Sequence, residues 1–278
     1  MKDTEKTAAR AEAMQKKLIS YMDQINIQFR EPATSIFASM PLMVNSINSQ
    51  NAEKAIEGLE NIYQNTYRIL RGLNNMSMAA KLMDGYQFKR EPIDLSGLVN
   101  GVFGSSQMIL PSYVSIEKSI EDGCFADGNT SLLTVGLLNI LLNSIDYRQE
   151  DNVKISVSLK KADGRSVLVY TDNSLGVKDE LAGDIFTPLF TANPYNDGEP
   201  STKPGLGLYI AQQAVKQAGG TMLLQTEFAE GVKYIISLPD SIASDTKTLK
   251  SYTAELLMNR YSDIFVQLCE HCRLPDLI

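Results

Sequence analysis

Residues 137–147 read LLNILLNSIDY, a stretch in which two asparagines interrupt an otherwise apolar sequence. The surrounding residues 129–147 are long enough and apolar enough to predict a buried helix. Because Asn139 and Asn143 are four residues apart, they lie on the same face of that helix. Taken alone, the pair is also explained by two capped or solvent-facing amides. An amide oxygen is, however, a hard ligand that suits a Mg²⁺ ion, which keeps most of its waters and phosphate oxygens.

A second polar segment, TDNSLGV (171–177), directly follows a predicted strand. The carboxylate of Asp172 is able to accept a hydrogen bond from an exocyclic amine such as that of adenine. Ser174 and Gly176 are small enough to let the backbone approach a ligand closely. An ordinary Asp-Asn-Ser turn explains the same pattern, so this segment carries little weight alone.

A third segment, STKPGLGLYIAQQAVKQAGG (201–220), places two glycines at the start of a predicted helix. Backbone N–H groups at the N-terminus of a helix suit phosphate oxygens. Gly205 and Gly207 lack the side chains that would block such a ligand. Many strand-to-helix junctions contain a similar glycine pair, so this signal is also weak in isolation.

Strand and helix patterns alternate around these segments. Residues 113–120 and 154–172 predict strands, and the A-D-G sequence at 162–164 predicts a hairpin turn within the second range. Residues 94–110 predict a helix with Asp94 as its N-cap. The closing strand pair is predicted at residues 221–228 and 232–239. The pattern indicates an α/β layered domain with a mixed sheet.

The first 84 residues are dominated by helical patterns. From Ala55 to Met83, apolar residues recur in alternating steps of four and three, the seam of a helix in a left-handed bundle. The break NSINSQNAE (45–53) contains turn formers, with Asn51 as an N-cap candidate. A hairpin of two long helices has too little interior alone. We therefore expect a second copy to complete a four-helix bundle, giving a homodimer through the helical hairpin.

The predicted fold class is α+β, an N-terminal antiparallel helical hairpin followed by an α/β sandwich. The polar run at 84–97, which contains Gly85 and Pro92, predicts a linker. We predict a helical-hairpin domain at residues 1–88, an α/β domain at 89–240 and a C-terminal helical extension at 241–278. The extension is predicted as one amphipathic helix over 249–272. Its CEHC sequence (269–272) is better explained as a helix end than as a zinc site, which usually has four ligands.

Composition bounds the remaining classes of function. The chain has 26 basic and 33 acidic residues, for a formal charge of −7, and no basic cluster that predicts nucleic-acid binding. No apolar run approaches the ~20 residues that span a membrane. Three cysteines in 278 residues argue against a disulfide scaffold. We therefore expect a cytoplasmic location.

The three polar segments occur in a specific order, with FTPLFTANPYNDGEPSTKP (186–204) between the second and the third. Together they resemble the ATP-binding domain of sensor histidine kinases, within the GHKL ATPase superfamily. LLNILLNSIDY resembles the N box of that family, and TDNSLG its first glycine box. IFTPLFTANP resembles the F box, and GLGLYIAQQAV the second glycine box. The helical hairpin resembles the dimerisation and phosphotransfer domain, so the resemblance covers roughly residues 15–240.

The resemblance implies ATP and Mg²⁺ as ligands and assigns roles by position. Asn143 would bind Mg²⁺, Asn139 the phosphates or the metal, and Asp172 the adenine amine. The other positions implied to lie at the nucleotide are Tyr147, Arg148, Ser174, Gly176, Lys203, Gly205, Leu206, Gly207 and Leu208. The stretch at 186–204 would be a mobile lid.

Three positions depart from the family pattern. Ser174 replaces a glycine of the first glycine box, and Lys203 replaces the first glycine of the second. Asp146 stands where the N box often has a lysine. These departures bear on nucleotide affinity rather than on architecture. Because Lys203 is close to Gly205 in sequence, we expect it to contact a phosphate itself.

The phosphotransfer helix of the family carries a histidine followed by an acidic residue, with a proline five positions after the histidine. In INIQFREPATSI (25–36), Pro32 sets this register and places Ile27 at the phosphoacceptor position and Gln28 at the acid. An alkyl group cannot form a phosphoramidate, and an amide cannot take up a proton as a carboxylate does. We therefore expect no autophosphorylation at the usual site. The chain's one histidine, His271, is far from this motif in sequence.

Retained nucleotide motifs beside a lost acceptor favour an ATP-binding signalling protein of two-component type. Its nucleotide-dependent conformation would be read by a response regulator or a partner kinase. Superfamily members that hydrolyse ATP place a glutamate at the position of Asn139, so fast hydrolysis is not expected. Two alternatives stay open, a serine/threonine kinase resembling anti-sigma-factor kinases and a dimeric scaffold that no longer binds nucleotide.

Overall fold

The structure is a computed structural model that describes residues 25–26, 28–191, 205–225, 230–241 and 259–272. Two positions singled out by the sequence, Ile27 and Lys203, lie outside the described residues, and so does most of the stretch expected to be a lid.

The N-terminal part is the expected helical hairpin. Helix α1 is described from residue 28 to residue 48, and α2 is Ala52–Met83. Asn51 caps α2, because its side chain accepts a hydrogen bond from the Lys54 N–H. Gln28, at the position of the family's acid, is buried against Gly72, where an added Cβ would come within 2.6 Å of the glutamine Nε2.

Within the residues that the structure describes, the second part contains two sheets and three α-helices. Its elements in chain order are β1 (Glu91–Asp94), α3 (Leu95–Ile109), β2 (Val114–Ile120), β3 (Phe125–Gly128), α4 (Thr130–Asp146), β4 (Val153–Ala162), β5 (Arg165–Asp172), α5 (Gly207–Gln217), β6 (Thr221–Leu224) and β7 (Lys233–Pro239).

The main sheet has the strand order β2-β4-β5-β7-β6. Strands β2 and β4 are parallel and the other neighbours are antiparallel, which confirms the predicted mixed sheet. The turn between β4 and β5 has Asp163 at φ 50° and Gly164 at φ 71°, the conformation that an Asp-Gly hairpin favours. Burial alternates along both strands because one face of the sheet packs on helices and the other faces solvent.

The predicted linker at 84–97 is partly wrong. Glu91–Asp94 forms β1, which pairs antiparallel with β3, and Asp94 then caps α3 by accepting from the Gly97 N–H. The reason is Ile93, which is only 1% exposed and joins the main hydrophobic core. A single buried residue among polar neighbours gives no periodic signal.

The C-terminal extension is not one continuous helix within the described residues. Helix α6 spans Asp263–Leu268, and the 3₁₀ turn Cys269–His271 follows it. Ser262 starts α6 as its N-cap by accepting from the Phe265 N–H, so the chain is non-helical at residues 259–262. Helix α6 packs against both α2 and α4. Among the helices that the structure describes, none is both long enough and apolar enough to cross a membrane.

Candidate functional site

Helix α4 forms the base of the candidate site. Asn129 starts it by accepting from the Leu132 N–H, and nearly the whole helix is buried. Asn143, close to its C-terminal end, is half-buried, and its side chain makes no hydrogen bond with any other described residue. Its amide is therefore available to a ligand.

Asn139, one turn earlier on α4, belongs to a chain of three buried amides. Its Oδ1 accepts from Asn75 Nδ2 of α2 at 3.2 Å, and Asn75 Oδ1 accepts from Gln267 Nε2 of α6 at 2.9 Å. The Nδ2 of Asn139 is buried without a hydrogen-bond partner among the described residues. A buried N–H group without an acceptor is costly, and a ligand oxygen would relieve that cost.

Neither Asn75 nor Gln267 is predicted from the sequence as a site residue. Asn75 lies within the helical hairpin and Gln267 lies 192 positions further along the chain. A polar residue inside an apolar helix pattern was the only available signal. This chain of amides connects α2 of the hairpin directly to Asn139 on α4, and it connects α6 to the same residue through Asn75.

Asp172, at the end of β5, is 6% exposed and its carboxylate is heavily hydrogen-bonded. Its Oδ1 accepts from the backbone N–H groups of Ser174 and Val232 at 2.9 and 3.0 Å, and from Ser174 Oγ at 2.7 Å. Its Oδ2 accepts from Ser144 Oγ. Since a carboxylate oxygen has two lone-pair directions, Oδ2 is the atom with remaining capacity for a base amine.

Ser144 and Tyr170 form a hydrogen-bonded pair that contacts this carboxylate, and neither residue is predicted from the sequence. The Ser144 hydroxyl is 2.6 Å from the Tyr170 hydroxyl as well as bonded to Asp172. Burial, and then the charge of Asp172, raise the pKa of Tyr170 well above its ordinary value. Tyr170 therefore stays protonated and fixes the direction of the serine hydroxyl.

The glycine pair lies at the start of α5, and its second member approaches Asn139. Gly205 has φ +61°, and an added Cβ would lie 2.1 Å from the Phe190 carbonyl oxygen. At Gly207 an added Cβ would lie 3.1 Å from Asn139 Oδ1. Both positions need glycine, the first for backbone conformation and the second for the close approach of α5 to α4. Between and after them, Leu206 is buried and Leu208 packs against the core.

The described first part of the expected lid, residues 186–191, is tied to this glycine pair. The Leu189 N–H donates to the Gly205 carbonyl at 3.0 Å, and Leu189 has φ 65°. A positive φ at leucine is strained, and such strain persists only where surrounding contacts fix the backbone. The two described ends that flank residues 192–204 therefore meet beside the phosphate position implied by Gly205 and Gly207.

The remaining predicted positions surround Asp172. Ser174 forms an isolated bridge with Arg148, and the Arg148 guanidinium lies over the Tyr113 ring at 5.5 Å. The Tyr147 carbonyl accepts from the Leu175 N–H. Gly176 has φ +72° and approaches the carbonyl of another glycine, Gly231. The structure thus places the asparagines, Asp172, Ser174, Gly176 and the glycine pair around α4, while Arg148 is directed toward Tyr113.

These groups fit a nucleotide with its metal. A buried carboxylate oxygen suits a base amine, and a pair of glycines at a helix N-terminus suits phosphates. The unsatisfied Nδ2 of Asn139 offers a donor to a phosphate oxygen, and the unengaged amide of Asn143 offers a hard oxygen to Mg²⁺.

Comparison with known proteins gives a consistent result. Residues 128–242 match the family described as histidine kinase-, DNA gyrase B- and HSP90-like ATPase. The sensor protein ChvG of Agrobacterium fabrum is 22% identical over 234 residues, which cover 79% of this chain and 39% of that protein. Sporulation kinase D of Bacillus subtilis is 30% identical over 105 residues, 38% of this chain and 19% of that protein.

The fold is shared with a solved structure. The full-length structure of ShkA in complex with AMPPNP superposes with a TM-score of 0.53 at 17% identity, covering 83% of this chain and 46% of that one. The chain thus covers less than half the length of ChvG, of sporulation kinase D and of ShkA. The chain is similar to sensor histidine kinases over most of its length, and the ATPase domain that its residues 128–242 match implies nucleotide binding.

Proposed function

We propose that this protein binds ATP with Mg²⁺ and acts in two-component signalling through its conformation, without phosphorylating its own helical hairpin. The observation that carries the proposal is the amide chain, in which Asn139 of the nucleotide motif is hydrogen-bonded to Asn75 of the hairpin. A ligand that engages Asn139 therefore acts on a residue that the hairpin also holds.

Each ligand role is supported by a local feature. Asp172 Oδ2 would accept from the adenine amine, and Asn143 would hold Mg²⁺. Backbone N–H groups following Gly205 and Gly207 would hold the phosphates, with Asn139 Nδ2 as an added donor. Bound ATP with Mg²⁺ would supply a γ-phosphate whose presence or absence distinguishes two states of the site.

A second set of contacts connects the end of the predicted hairpin domain to α5. Gln217, the last residue of α5, donates through Nε2 to the Tyr86 carbonyl and accepts through Oε1 from the Phe88 N–H. Gly207 begins the same helix. A shift of α5 on nucleotide binding would therefore reach the end of the hairpin, and a response regulator or partner kinase would read the change.

Loss of the phosphoacceptor explains why conformation, rather than transfer, is the proposed output. Ile27 cannot accept a phosphoryl group, and Gln28 is buried against α2 instead of presenting a base. At the N box, Asn139 has no carboxylate with which to activate a water.

The proposal is tested by calorimetry and phosphorylation together. We expect the purified chain to bind AMPPNP with Mg²⁺ in the micromolar range, and to acquire no acid-labile phosphate from labelled ATP. The control is a histidine kinase that keeps its acceptor, assayed in parallel. Absence of binding would contradict the proposal, and so would acid-labile labelling of the chain.

A homodimer through the hairpin is the proposed assembly. The apolar seam predicted from Ala55 to Met83 is not the face that α2 buries within one chain. Leu59 and Leu73 of that seam are 45% and 51% exposed, whereas α2 buries Tyr67, Asn75 and Leu82 against the rest of the chain. An exposed apolar stripe of this length favours covering by a second copy.

Substitution of Leu73 by glutamate is expected to convert this dimer to monomer, because it places a charge in the apolar seam. Sedimentation velocity at matched concentrations measures the change. Leu223→Glu is the control, since Leu223 is 60% exposed on β6, outside the hairpin. A monomeric wild-type chain, or an unchanged dimer in Leu73→Glu, would contradict the assembly.

A further inference from the structure

A cluster of ionisable side chains forms where the C-terminal turn meets the end of α4. Asp146 is the last residue of α4, and Glu270 and His271 belong to the turn after α6. Their side chains are 10%, 16% and 16% exposed. His271 Nε2 lies 3.2 Å from Glu270 Oε1 and 3.4 Å from Asp146 Oδ1.

The geometry of this cluster differs from that of a simple hydrogen bond. A ring nitrogen carries at most one proton, which points in one direction, yet two carboxylate oxygens approach Nε2 at similar distances. Nε2 is buried and meets neither oxygen in hydrogen-bonding geometry. Ligand atoms placed tetrahedrally about a zinc ion at about 2.0–2.1 Å are roughly 3.3–3.4 Å apart. The two measured separations are close to that spacing, and one atom from each of the three residues lies within 4.8 Å of the others.

A neighbouring cation orients one of the carboxylates. Arg71 of α2 lies 2.9 Å from Glu270 Oε2, which leaves Oε1 directed toward His271. A charged partner that holds the outer oxygen of a ligating carboxylate is a common arrangement around metal ions.

The cysteines of the CEHC sequence do not belong to the cluster. Burial raises the pKa of Cys269 to about 12, and this residue packs with Tyr67 and Phe265. Cys272 Sγ donates to the Leu268 carbonyl. Carboxylates from α4 and the turn, rather than thiolates, therefore surround the imidazole.

We propose that Asp146, Glu270 and His271 form a binding site for a divalent transition-metal ion, with Zn²⁺ as the probe. Imidazole nitrogen with carboxylate oxygen is a ligand set that zinc accepts. The ion would fasten the C-terminal turn to α4 three residues beyond Asn143. The site stands independently of nucleotide binding.

The test uses the full chain, freed of metal by chelation and titrated with ZnCl₂ by calorimetry, with metal content measured after dialysis. We expect one Zn²⁺ per chain and at least tenfold weaker binding in Asp146→Asn and in His271→Gln. Glu117→Gln, an exposed carboxylate on β2, and Cys272→Ser are expected to bind as the wild type does. Circular dichroism verifies that each variant is folded.

The single histidine provides a second measurement that needs no variant. Because His271 is the only histidine in the sequence, its imidazole NMR signals are unambiguous. One equivalent of Zn²⁺ should shift them to a new position that further metal does not change. Failure of wild type to retain Zn²⁺, equal affinity in Asp146→Asn, or unshifted imidazole signals at saturation would each overturn the proposal.

Discussion

Replacing Asn143 with alanine is expected to weaken binding of AMPPNP in the presence of Mg²⁺ by on the order of tenfold or more, because the site loses its hard amide oxygen. The Asn143 side chain makes no hydrogen bond with other described residues. Its removal therefore leaves no polar group of the described residues unpaired, and the thermal unfolding temperature should change little. Calorimetry measures the affinity, and scanning calorimetry measures the stability.

Two controls distinguish loss of Mg²⁺ binding by Asn143 from a general effect of the substitution on the fold. Asn152→Ala removes an exposed amide in the turn before β4 and should leave both quantities unchanged. Titration of the Asn143→Ala variant without Mg²⁺ should give the same weak affinity as wild type without Mg²⁺. If the variant instead binds as tightly as wild type with the metal present, Asn143 does not hold Mg²⁺.

Local rules account for the parts of the fold that the sequence predicted. The caps Asn51 and Asp94 and the Asp-Gly turn after β4 each depend on residues within four positions of one another. The buried helix around Asn139 was equally visible, because its apolar run is continuous. Such features are determined by propensity and periodicity alone.

The site residues that were missed depend on contacts distant in sequence. Asn75 is buried only because Gln267 and Asn139 reach it from α6 and α4. The Asp172 carboxylate is held by Ser144 and Val232, which lie 28 and 60 positions away. No pattern within one helix or strand indicates such partners, so tertiary packing decides them.

The hairpin also shows what periodicity predicts and what it leaves open. Its 4-3 apolar pattern predicts a packing seam, but Leu59 and Leu73 of that seam face outward within one chain. Periodicity identifies a face that must be covered without identifying the partner that covers it. The polar Asn75 and the aromatic Tyr67 make the contacts within the chain instead.

Asp172→Asn is expected to weaken AMPPNP binding by on the order of tenfold or more while leaving stability nearly unchanged. The backbone N–H groups of Ser174 and Val232 only donate, so the asparagine carbonyl must take the place of Oδ1. Its NH₂ group then takes the place of Oδ2. There one N–H of the asparagine donates to the Ser144 hydroxyl. Its other N–H points toward the adenine amine, which is also a donor, so the hydrogen bond to the base is lost.

This substitution also makes a prediction about base preference. An NH₂ group at the Oδ2 position is able to donate to the carbonyl oxygen at the corresponding place of guanine, so the ratio of AMPPNP to GMPPNP affinity should fall. Asp163→Asn is the matched control, because Asp163 lies in the exposed turn after β4 and asparagine tolerates its φ of 50°. Unchanged AMPPNP affinity in Asp172→Asn would show that another group reads the base.

Asp172→Leu distinguishes the two roles of the carboxylate. The leucine leaves the N–H groups of Ser174 and Val232 without their acceptor and removes the partner of the Ser144 hydroxyl. Each buried donor left unpaired costs about 1–3 kcal/mol. We therefore expect a loss of several kcal/mol in the free energy of unfolding, measured by urea denaturation. The asparagine variant should lose the base contact alone, because the backbone N–H groups of Ser174 and Val232 that stabilise Asp172 also fix the orientation of its replacement.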